Sequence, residues 1–492
     1  MKHPASKSHS IGMNAVHLTV SKVISLCISM LTTMLLSRFR TFTEYGTYSQ
    51  LLLVVNLVSS LFMLGLPNSI NYFLARAETQ EQRRKFLSVY YTLSTILSVV
   101  MGGALVLAVP LIEAYFDNQT IRGFIYFLAL YPWSSVISSS VENVLVVYQR
   151  TRFLMAYRLI NSLCLLGTVV VIQWLGLGFS AYMQLYMAVC AAFGISVYLI
   201  AAWLGGGLRF SFDKKMIREI FVFSIPLGLA SVVGTLNIEI DKLLIGRLMS
   251  TEDLAVYTNA SKELPLTIIA TSITAVLLPQ LAKMLKKGEG KEAVSLWGNA
   301  VELSFLCICL FVAGVFTYAP DVMSLLYSEK YLSGLSVFRV YTLVLLLRCT
   351  YFGIILNAMG KSRLIFLCSI ASLVFNIILN PVLYWAMGMI GPAVATFLSI
   401  SIINIGQLVL TAKEVGVPFR KVFPWKNLAK ISLVNILLAC CFAMLKQVLP
   451  LEQIVGSLVE SLVLGAVWAI LYAALMRKPA LRAWRNLNAG KN

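Results

Sequence analysis

Long apolar stretches separated by short polar segments recur along the whole chain. Each stretch is long enough for a helix to cross the hydrocarbon core of a bilayer, which takes about 20 residues. The pattern predicts an all-α polytopic membrane protein with fourteen transmembrane helices. The predicted spans are 14–37, 47–74, 87–111, 122–147, 155–175, 181–203, 218–245, 254–281, 294–318, 334–358, 364–386, 389–410, 428–448 and 454–476.

Basic residues are distributed unevenly between the two sides of this topology. The termini and the loops after even-numbered spans hold 29 Lys and Arg residues, whereas the loops after odd-numbered spans hold six. Cationic loops are retained on the cytoplasmic side of a membrane. We therefore expect both termini to be cytoplasmic, which agrees with an even number of spans.

Composition supports the membrane assignment and excludes several other classes of protein. Hydrophobic residues make up 59% of the chain and charged residues 12%, and the net charge is +19. A soluble protein keeps about a quarter of its residues charged, so the net charge is better explained by topology than by nucleic-acid binding. All nine cysteines lie inside apolar stretches, which excludes a disulfide framework.

The chain lacks the motifs of ATP-driven or catalytic proteins. No Walker A motif is present, and the three histidines lie near the N-terminal end, so we expect neither a metal centre nor a cofactor. No soluble segment is long enough to form a catalytic domain. The sequence predicts a transporter rather than an enzyme.

An internal repeat divides the chain. The segment LLSRFRTFTEYGTY from Leu35 aligns without gaps to LIGRLMSTEDLAVY from Leu244, which pairs Glu44 with Asp253 at an offset of 209 residues. Each copy holds six predicted spans, so both copies enter the membrane from the same side, as in transporters with parallel repeats. The predicted domains are an N-lobe (1–203), a cytoplasmic hinge (204–217), a C-lobe (218–410), and the last two spans with a basic tail (411–492).

Charged residues inside the predicted spans are candidates for function, because a charge in the membrane is costly. Arg348 lies near the middle of span 10 and could bind an anionic headgroup through its planar guanidinium, or form a structural pair with a carboxylate. Lys22 in span 1 and Lys262 in span 8 are the other candidate cations for a binding cavity. Lys262 could instead form a salt bridge with Asp241.

Three carboxylates are candidates for coupling transport to an ion gradient. They are Asp241 in span 7, Glu142 in span 4 and Glu302 in span 9. Glu142 and Glu302 could equally pair with basic loop residues. Polar interruptions in spans 7 and 8 favour a moving, cavity-lining pair of helices, whereas one proline alone is ordinarily tolerated in a membrane helix. The interruptions are Pro226, Asn237, Asn259 and Pro265.

Three segments resemble the polysaccharide-transport flippases of the multidrug/oligosaccharidyl-lipid/polysaccharide superfamily. They are SKVISLCISMLTTMLLSRFRTFTEYGTYSQ, the region of spans 7 and 8 from Phe223, and the region of spans 10 to 12 from Leu356. The resemblance implies a V-shaped, two-lobed transporter with two six-helix lobes and two additional C-terminal helices. It also implies a cationic cavity for a lipid diphosphate, to which Lys22, Lys262 and Arg348 would contribute.

These observations predict a flippase of the bacterial inner membrane that moves a polyprenyl-diphosphate-linked oligosaccharide by alternating access. Its partners would be the lipid-linked substrate, membrane lipids, and the polymerase and glycosyltransferases of the same pathway, with no nucleic acid and no ATP. The alternative is a cation-coupled multidrug exporter of the same superfamily. Five cations inside spans and two additional spans argue against that alternative.

Overall fold

The structure is a computed structural model that describes residues 7–449 and 456–489. Within those residues, fourteen helices are long and apolar enough to cross a membrane, and no strand forms. This confirms the predicted all-α polytopic fold. Positions 1–6, which include His3, and the predicted start of the last span at 454 lie outside the described residues.

Residue contacts divide the chain into two compact units, Met1–Ala255 and Val256–Asn492. The first unit holds ten helices, a π-helical turn and a 3₁₀ turn, and the boundary falls within an eleventh helix. In chain order they are α1 (Lys7–Phe39), α2 (Phe42–Met63), α3 (Leu66–Ser69), the π turn Ile70–Leu74, α4 (Gln80–Leu107), α5 (Val109–Phe116), the 3₁₀ turn Gln119–Phe124, α6 (Ile125–Ser139), α7 (Val141–Val147), α8 (Thr151–Trp174), α9 (Phe179–Gly205), α10 (Lys214–Leu248) and α11 (Thr251–Ala260).

The second unit continues from α11 with further helices and a 3₁₀ turn. They are α12 (Thr267–Lys286), α13 (Gly290–Thr317), α14 (Ala319–Tyr327), the 3₁₀ turn Glu329–Gly334, α15 (Leu335–Leu347), α16 (Ile354–Ala358), α17 (Ser362–Met387), α18 (Ile390–Val415), α19 (Phe419–Val422), α20 (Trp425–Val448) and α21 (Ser457–Ala489). The last two long helices, α20 and α21, pack on α13. Phe442 and Trp468 stack between them, with ring centroids 5.7 Å apart.

The order of elements repeats along the chain. The two 3₁₀ turns begin 210 residues apart, at Gln119 and Glu329, and each follows a short helix, α5 or α14. Helices α8 and α17, and likewise α9 and α18, begin 211 residues apart. The secondary structure therefore supports the internal repeat that the sequence predicts.

Matching hydrogen bonds begin α2 and α11, where the sequence repeat is strongest. The Thr41 hydroxyl accepts the Glu44 amide at 3.2 Å, and the Glu44 carboxylate accepts the Thr41 amide at 3.0 Å. Ser250 and Asp253 make the same reciprocal bonds at 3.1 and 3.2 Å. Such a capping box satisfies two amides that the first turn of a helix leaves without partners. It gives a physical reason for the pairing of Glu44 with Asp253 in the repeat.

Helix α10 is continuous through Pro226, which is the ordinary tolerance of one proline in a membrane helix. A break lies in span 2, where Leu64 and Gly65 adopt left-handed backbone with φ of 38° and 74°. This turn packs directly on α10. A Cβ added to Gly228 would lie 2.1 Å from the Leu64 carbonyl carbon, which only glycine avoids. Gly228 therefore serves close backbone packing.

Residues 207–213, within the predicted hinge, are bonded to α4. The Arg209 amide donates to the Ser88 hydroxyl at 3.1 Å, and the Ser211 amide donates to the Thr92 hydroxyl at 3.2 Å. Asp213 forms a 2.7 Å ion pair with Lys85. Two backbone amides and one ion pair therefore hold this segment against α4. We call residues 207–213 the α4-bound segment.

Candidate functional site

Arg348 lies where span 10 is unwound. Helix α15 ends at Leu347, and the chain is not α-helical again until Ile354. The Arg348 guanidinium forms a 2.8 Å ion pair with Glu263. Glu263 lies in a second unwound segment, 261–266, which separates α11 from α12. Both predicted spans are therefore broken, and each break contributes one member of an ion pair within the second unit.

Proline explains the break in span 8. Pro265 has no amide hydrogen and disfavours helical backbone at the residue before it. The chain turns instead through short bonds, from the Lys262 amide to the Asn259 carbonyl at 3.2 Å and from the Leu266 amide to the Leu264 carbonyl at 2.7 Å. The break lies at one of the polar interruptions that the sequence shows in span 8, and it places the partly exposed Lys262 and Glu263 on non-helical backbone.

Side chains from neighbouring helices form hydrogen bonds with the unwound segment in span 10. The Ser304 hydroxyl donates to the Cys349 carbonyl at 2.6 Å, and the Asn404 amide donates to the Leu347 carbonyl at 2.8 Å. The Trp297 indole donates to the Thr350 hydroxyl at 3.0 Å. Irregular backbone at membrane depth requires such partners, since lipid supplies none. The unwound segment is thus a supported feature of the second unit.

The Arg348 guanidinium keeps binding capacity beyond its ion pair. The Arg348 side chain is 36% exposed and Glu263 is 28% exposed. The Arg348 Nε is buried and has no hydrogen-bond partner in the part of the chain that the structure describes. Lys262, adjacent to Glu263, is half-buried. Two cations and one carboxylate leave these two breaks with a net positive charge, which suits an anionic group such as a phosphate.

Lys22 lies in the first unit, on α1, where its side chain is exposed. Helix α1 packs along α8, and Ser25 and Ser162 share a hydrogen bond between the two helices. Within the described residues, Lys22 forms no ion pair. Its ammonium is accessible and is not neutralised by a neighbouring carboxylate.

The three candidate coupling carboxylates have different environments. Asp241 is completely buried in the first unit, and its Oδ1 accepts the Lys242 amide at 2.8 Å. Glu142 is exposed and pairs with Arg158, so the structural alternative is the one observed. Glu302 accepts a hydrogen bond from Asn427 and lines a cleft of about 450 Å³. Lysines 291 and 421 line the same cleft.

The second unit also contains an ionic network that the sequence does not predict. Asp321, in α14, accepts hydrogen bonds from Lys446, from Ser457 at 2.6 Å and from Ser461 at 2.7 Å. Burial by itself raises the pKa of the Asp321 carboxyl, but these hydrogen bonds outweigh burial and lower its pKa below the ordinary value. No local sequence signal connects Asp321 with residues more than a hundred positions later.

Comparison with known families adds to this geometry. A family model described as polysaccharide biosynthesis protein matches residues 35–336, more than half of the chain. The chain belongs to the polysaccharide biosynthesis protein family. One relative is the probable low-salt glycan biosynthesis flippase Agl15 of Haloferax volcanii, which is 21% identical over 54% of this chain and 58% of its own length. The chain spans about half the length of the curated relatives it matches.

Solved structures show the fold of this family member more completely. The lipid II flippase MurJ, in an inward closed conformation, aligns over 94% of this chain and 99% of its own length, with a TM-score of 0.76 and 15% identity. An inward-facing multidrug resistance MATE transporter of the MOP superfamily aligns over 82% of this chain and 98% of its own, with a TM-score of 0.64 and 15% identity. The chain has the fold of MOP superfamily transporters.

Proposed function

We propose that this polysaccharide biosynthesis protein is a flippase. It moves a polyprenyl-diphosphate-linked oligosaccharide across the bacterial inner membrane by alternating access, for assembly of a cell-surface polysaccharide. The observation that carries the proposal is Arg348, a partly exposed guanidinium on an unwound transmembrane segment with a free Nε. An arginine in a low-dielectric site binds phosphate through charge-assisted hydrogen bonds.

The names of similar proteins favour a lipid-linked glycan as the substrate. The relative from Haloferax volcanii is named a glycan biosynthesis flippase, and the structure with a TM-score of 0.76 is a lipid II flippase. We propose that Arg348, Lys262 and Lys22 bind the diphosphate. The substrate would come from glycosyltransferases, and a polymerase of the same pathway would consume it.

An ion gradient is the proposed source of energy. Among the three candidate carboxylates, Asp241 is the one that is fully buried, which suits a residue that binds a coupling ion away from water. Glu142 and Glu302 are secondary candidates because Glu142 is exposed and Glu302 is only partly buried. We also propose that both termini are cytoplasmic. The proposed lobes are residues 1–203 and 218–410, joined by residues 204–217.

The test is translocation of a fluorescent polyprenyl-diphosphate-oligosaccharide in liposomes reconstituted with the full chain. We expect wild type to move the glycolipid and Arg348→Ala to be slower by about tenfold or more, the loss of a charged hydrogen bond. Arg339→Ala, in the helix α15 that precedes Arg348, is the control. Arg348→Lys, which keeps the charge, separates lost binding from lost folding.

The alternative, a cation-coupled drug exporter, predicts a different result in the same liposomes. It requires gradient-dependent efflux of a cationic dye, with no movement of any glycolipid. That pair of results would replace the proposed function. Glycolipid movement unaffected by both Arg348→Ala and Lys22→Ala would leave the function in place and refute the proposed binding residues.

A further inference from the structure

A cleft of about 760 Å³ lies at the N-terminal end of α10, within the first unit. Tyr72 and Phe73 of the π turn form one wall, and the first turns of α10 form the other. The Tyr72 and Phe223 rings stack across the cleft, with centroids 4.5 Å apart. The Arg76 guanidinium covers Tyr72 at 3.9 Å from the ring centroid, which fixes that ring in place.

The charges at this cleft favour an anion. Lys215 and Arg218 line it, and both side chains are exposed. Neither forms an ion pair with a side chain in the described part of the chain. Glu219 also lines the cleft, and Asp213 is already paired with Lys85. Two cations and one carboxylate give the lining a net positive charge.

The cationic positions continue into an apolar stripe on the same face of α10. Lys215, Arg218, Val222, Ile225 and Leu229 follow one another at intervals of three or four residues, the spacing of one helix face. The three apolar members are 68%, 39% and 48% exposed. A face that is cationic at one end and apolar beyond it matches an amphiphile with a phosphate head and hydrocarbon tails.

The α4-bound segment, which immediately precedes α10 in the chain, carries two exposed aromatic rings. Phe210 and Phe212 are 81% and 58% exposed. They flank Ser211, whose amide donates to the Thr92 hydroxyl of α4. Exposed aromatic rings beside basic residues are typical of the boundary between hydrocarbon and headgroups. At such a boundary, the cleft, a few residues further along the chain, would lie at the depth of lipid phosphates.

We propose that this cleft binds the phosphate of a membrane phospholipid. Lys215 and Arg218 hold the phosphate, the ring pair Tyr72 and Phe223 packs against the glycerol region, and an acyl chain follows the apolar stripe. Basic pockets between membrane helices bind anionic headgroups in this way. The site uses residues other than Arg348, Lys262 and Lys22, so it does not rest on the proposed function.

Native mass spectrometry of the delipidated full chain in detergent, titrated with phosphatidylglycerol, tests the site. The double variant Lys215→Gln/Arg218→Gln is compared with Lys286→Gln/Lys287→Gln, which removes the same charge from the end of α12. We expect the first variant to bind one lipid fewer than wild type, or to bind it about tenfold more weakly. The control variant should match wild type. Equal losses in both variants would overturn the proposal.

Two further measurements keep the test specific. Without added lipid, both double variants should have the same melting temperature, because all four side chains are exposed. A lower melting temperature in Lys215→Gln/Arg218→Gln alone would indicate a structural role for these residues and count against the site. Photo-crosslinking of wild type with a diazirine phosphatidylglycerol should label the peptides that hold Val222 and Phe73. Displacement of that label by polyprenyl diphosphate, but not by excess phospholipid, would assign the cleft to the transport substrate instead.

Discussion

The two units hold their broken spans in different ways. In the first unit, the turn at Leu64 and Gly65 packs backbone against backbone on Gly228. In the second unit, side chains of Ser304 and Asn404 satisfy the unwound segment after Leu347. Both solutions accommodate a broken membrane helix, and the second also gives the Leu347 and Cys349 carbonyls hydrogen-bond partners. The first leaves no room for side chains, whereas the second does.

The chemistry of the two repeats differs accordingly. Positions 209 residues before Lys262 and Glu263 are Leu53 and Val54, which lie in the continuous helix α2. The second copy of the repeat therefore carries charged side chains where the first carries apolar ones. A break supported by side chains permits charge, because the same polar surroundings lower the cost of burying it.

The largest effect is expected from placing a side chain between Gly228 and the backbone of Leu64, which are in contact in the first unit. Gly228→Ala places a methyl group 2.1 Å from the Leu64 carbonyl carbon, so one backbone must move. We expect a loss of about 3 kcal/mol and an apparent melting temperature lower by roughly 3–6 °C. Gly234→Ala, on the same helix with nothing near its added methyl group, should be neutral or slightly stabilising. Equal melting temperatures for the two variants would contradict the backbone contact.

Removing a side-chain support of the second unit should have an intermediate effect. Ser304→Ala leaves the Cys349 carbonyl buried without its partner, which costs about 1–3 kcal/mol. Thermal unfolding of the purified protein measures the loss. Ser295→Ala, an exposed serine on the same helix α13, controls for the substitution itself. If both serine variants have the same melting temperature, the Ser304 hydroxyl does not stabilise the unwound segment.

Removing the carboxylate partner of Arg348 tests whether the ion pair in the second unit competes with an anionic ligand. Glu263→Gln keeps the shape of the side chain but frees the guanidinium. Because the pair is about one-third exposed, the expected gain in affinity for polyprenyl diphosphate is only about two- to fivefold. Competition binding measures it, with the exposed Glu292→Gln as the control. Weaker binding in Glu263→Gln would mean that the pair orients Arg348 rather than competing with the ligand.

The smallest effect concerns acid stability. The pKa of Asp321 in the folded protein is below its ordinary value, so this carboxylate contributes stability above the unfolded value of about 3.9, and the contribution is lost as pH falls through the lower folded pKa. Melting curves between pH 5 and pH 3 should show a decline in wild type that is shallower in Asp321→Asn. Asp213 also has a lowered pKa, chiefly through its hydrogen bond with Lys85, but that lysine is exposed. Asp213→Asn should therefore make the decline shallower by less than Asp321→Asn does, and an equal change in both variants would show that burial of Asp321 is unimportant.

The sequence predicts the spans well because membrane helices are set by the length and apolarity of local segments. It locates the breaks less well. Pro265 marks the break in span 8, whereas Pro226 does not break α10. The break after Leu347 contains no proline and depends on Ser304 and Asn404 from other helices. The charge of Arg348 makes it a candidate from the sequence, but its pairing with Glu263 is not predictable, because the ion pair joins two breaks that lie far apart in the sequence.

The capping boxes of α2 and α11 have an evolutionary consequence. Thr41 with Glu44 and Ser250 with Asp253 make the same pair of bonds with different residues. If the halves of this protein descend from a duplicated gene, the capping bonds outlasted the residues that first made them. A cap acts within four consecutive residues, so a substitution elsewhere in the chain does not replace it. The two copies therefore share a polar signal at this point, even though most residues of the chain are apolar.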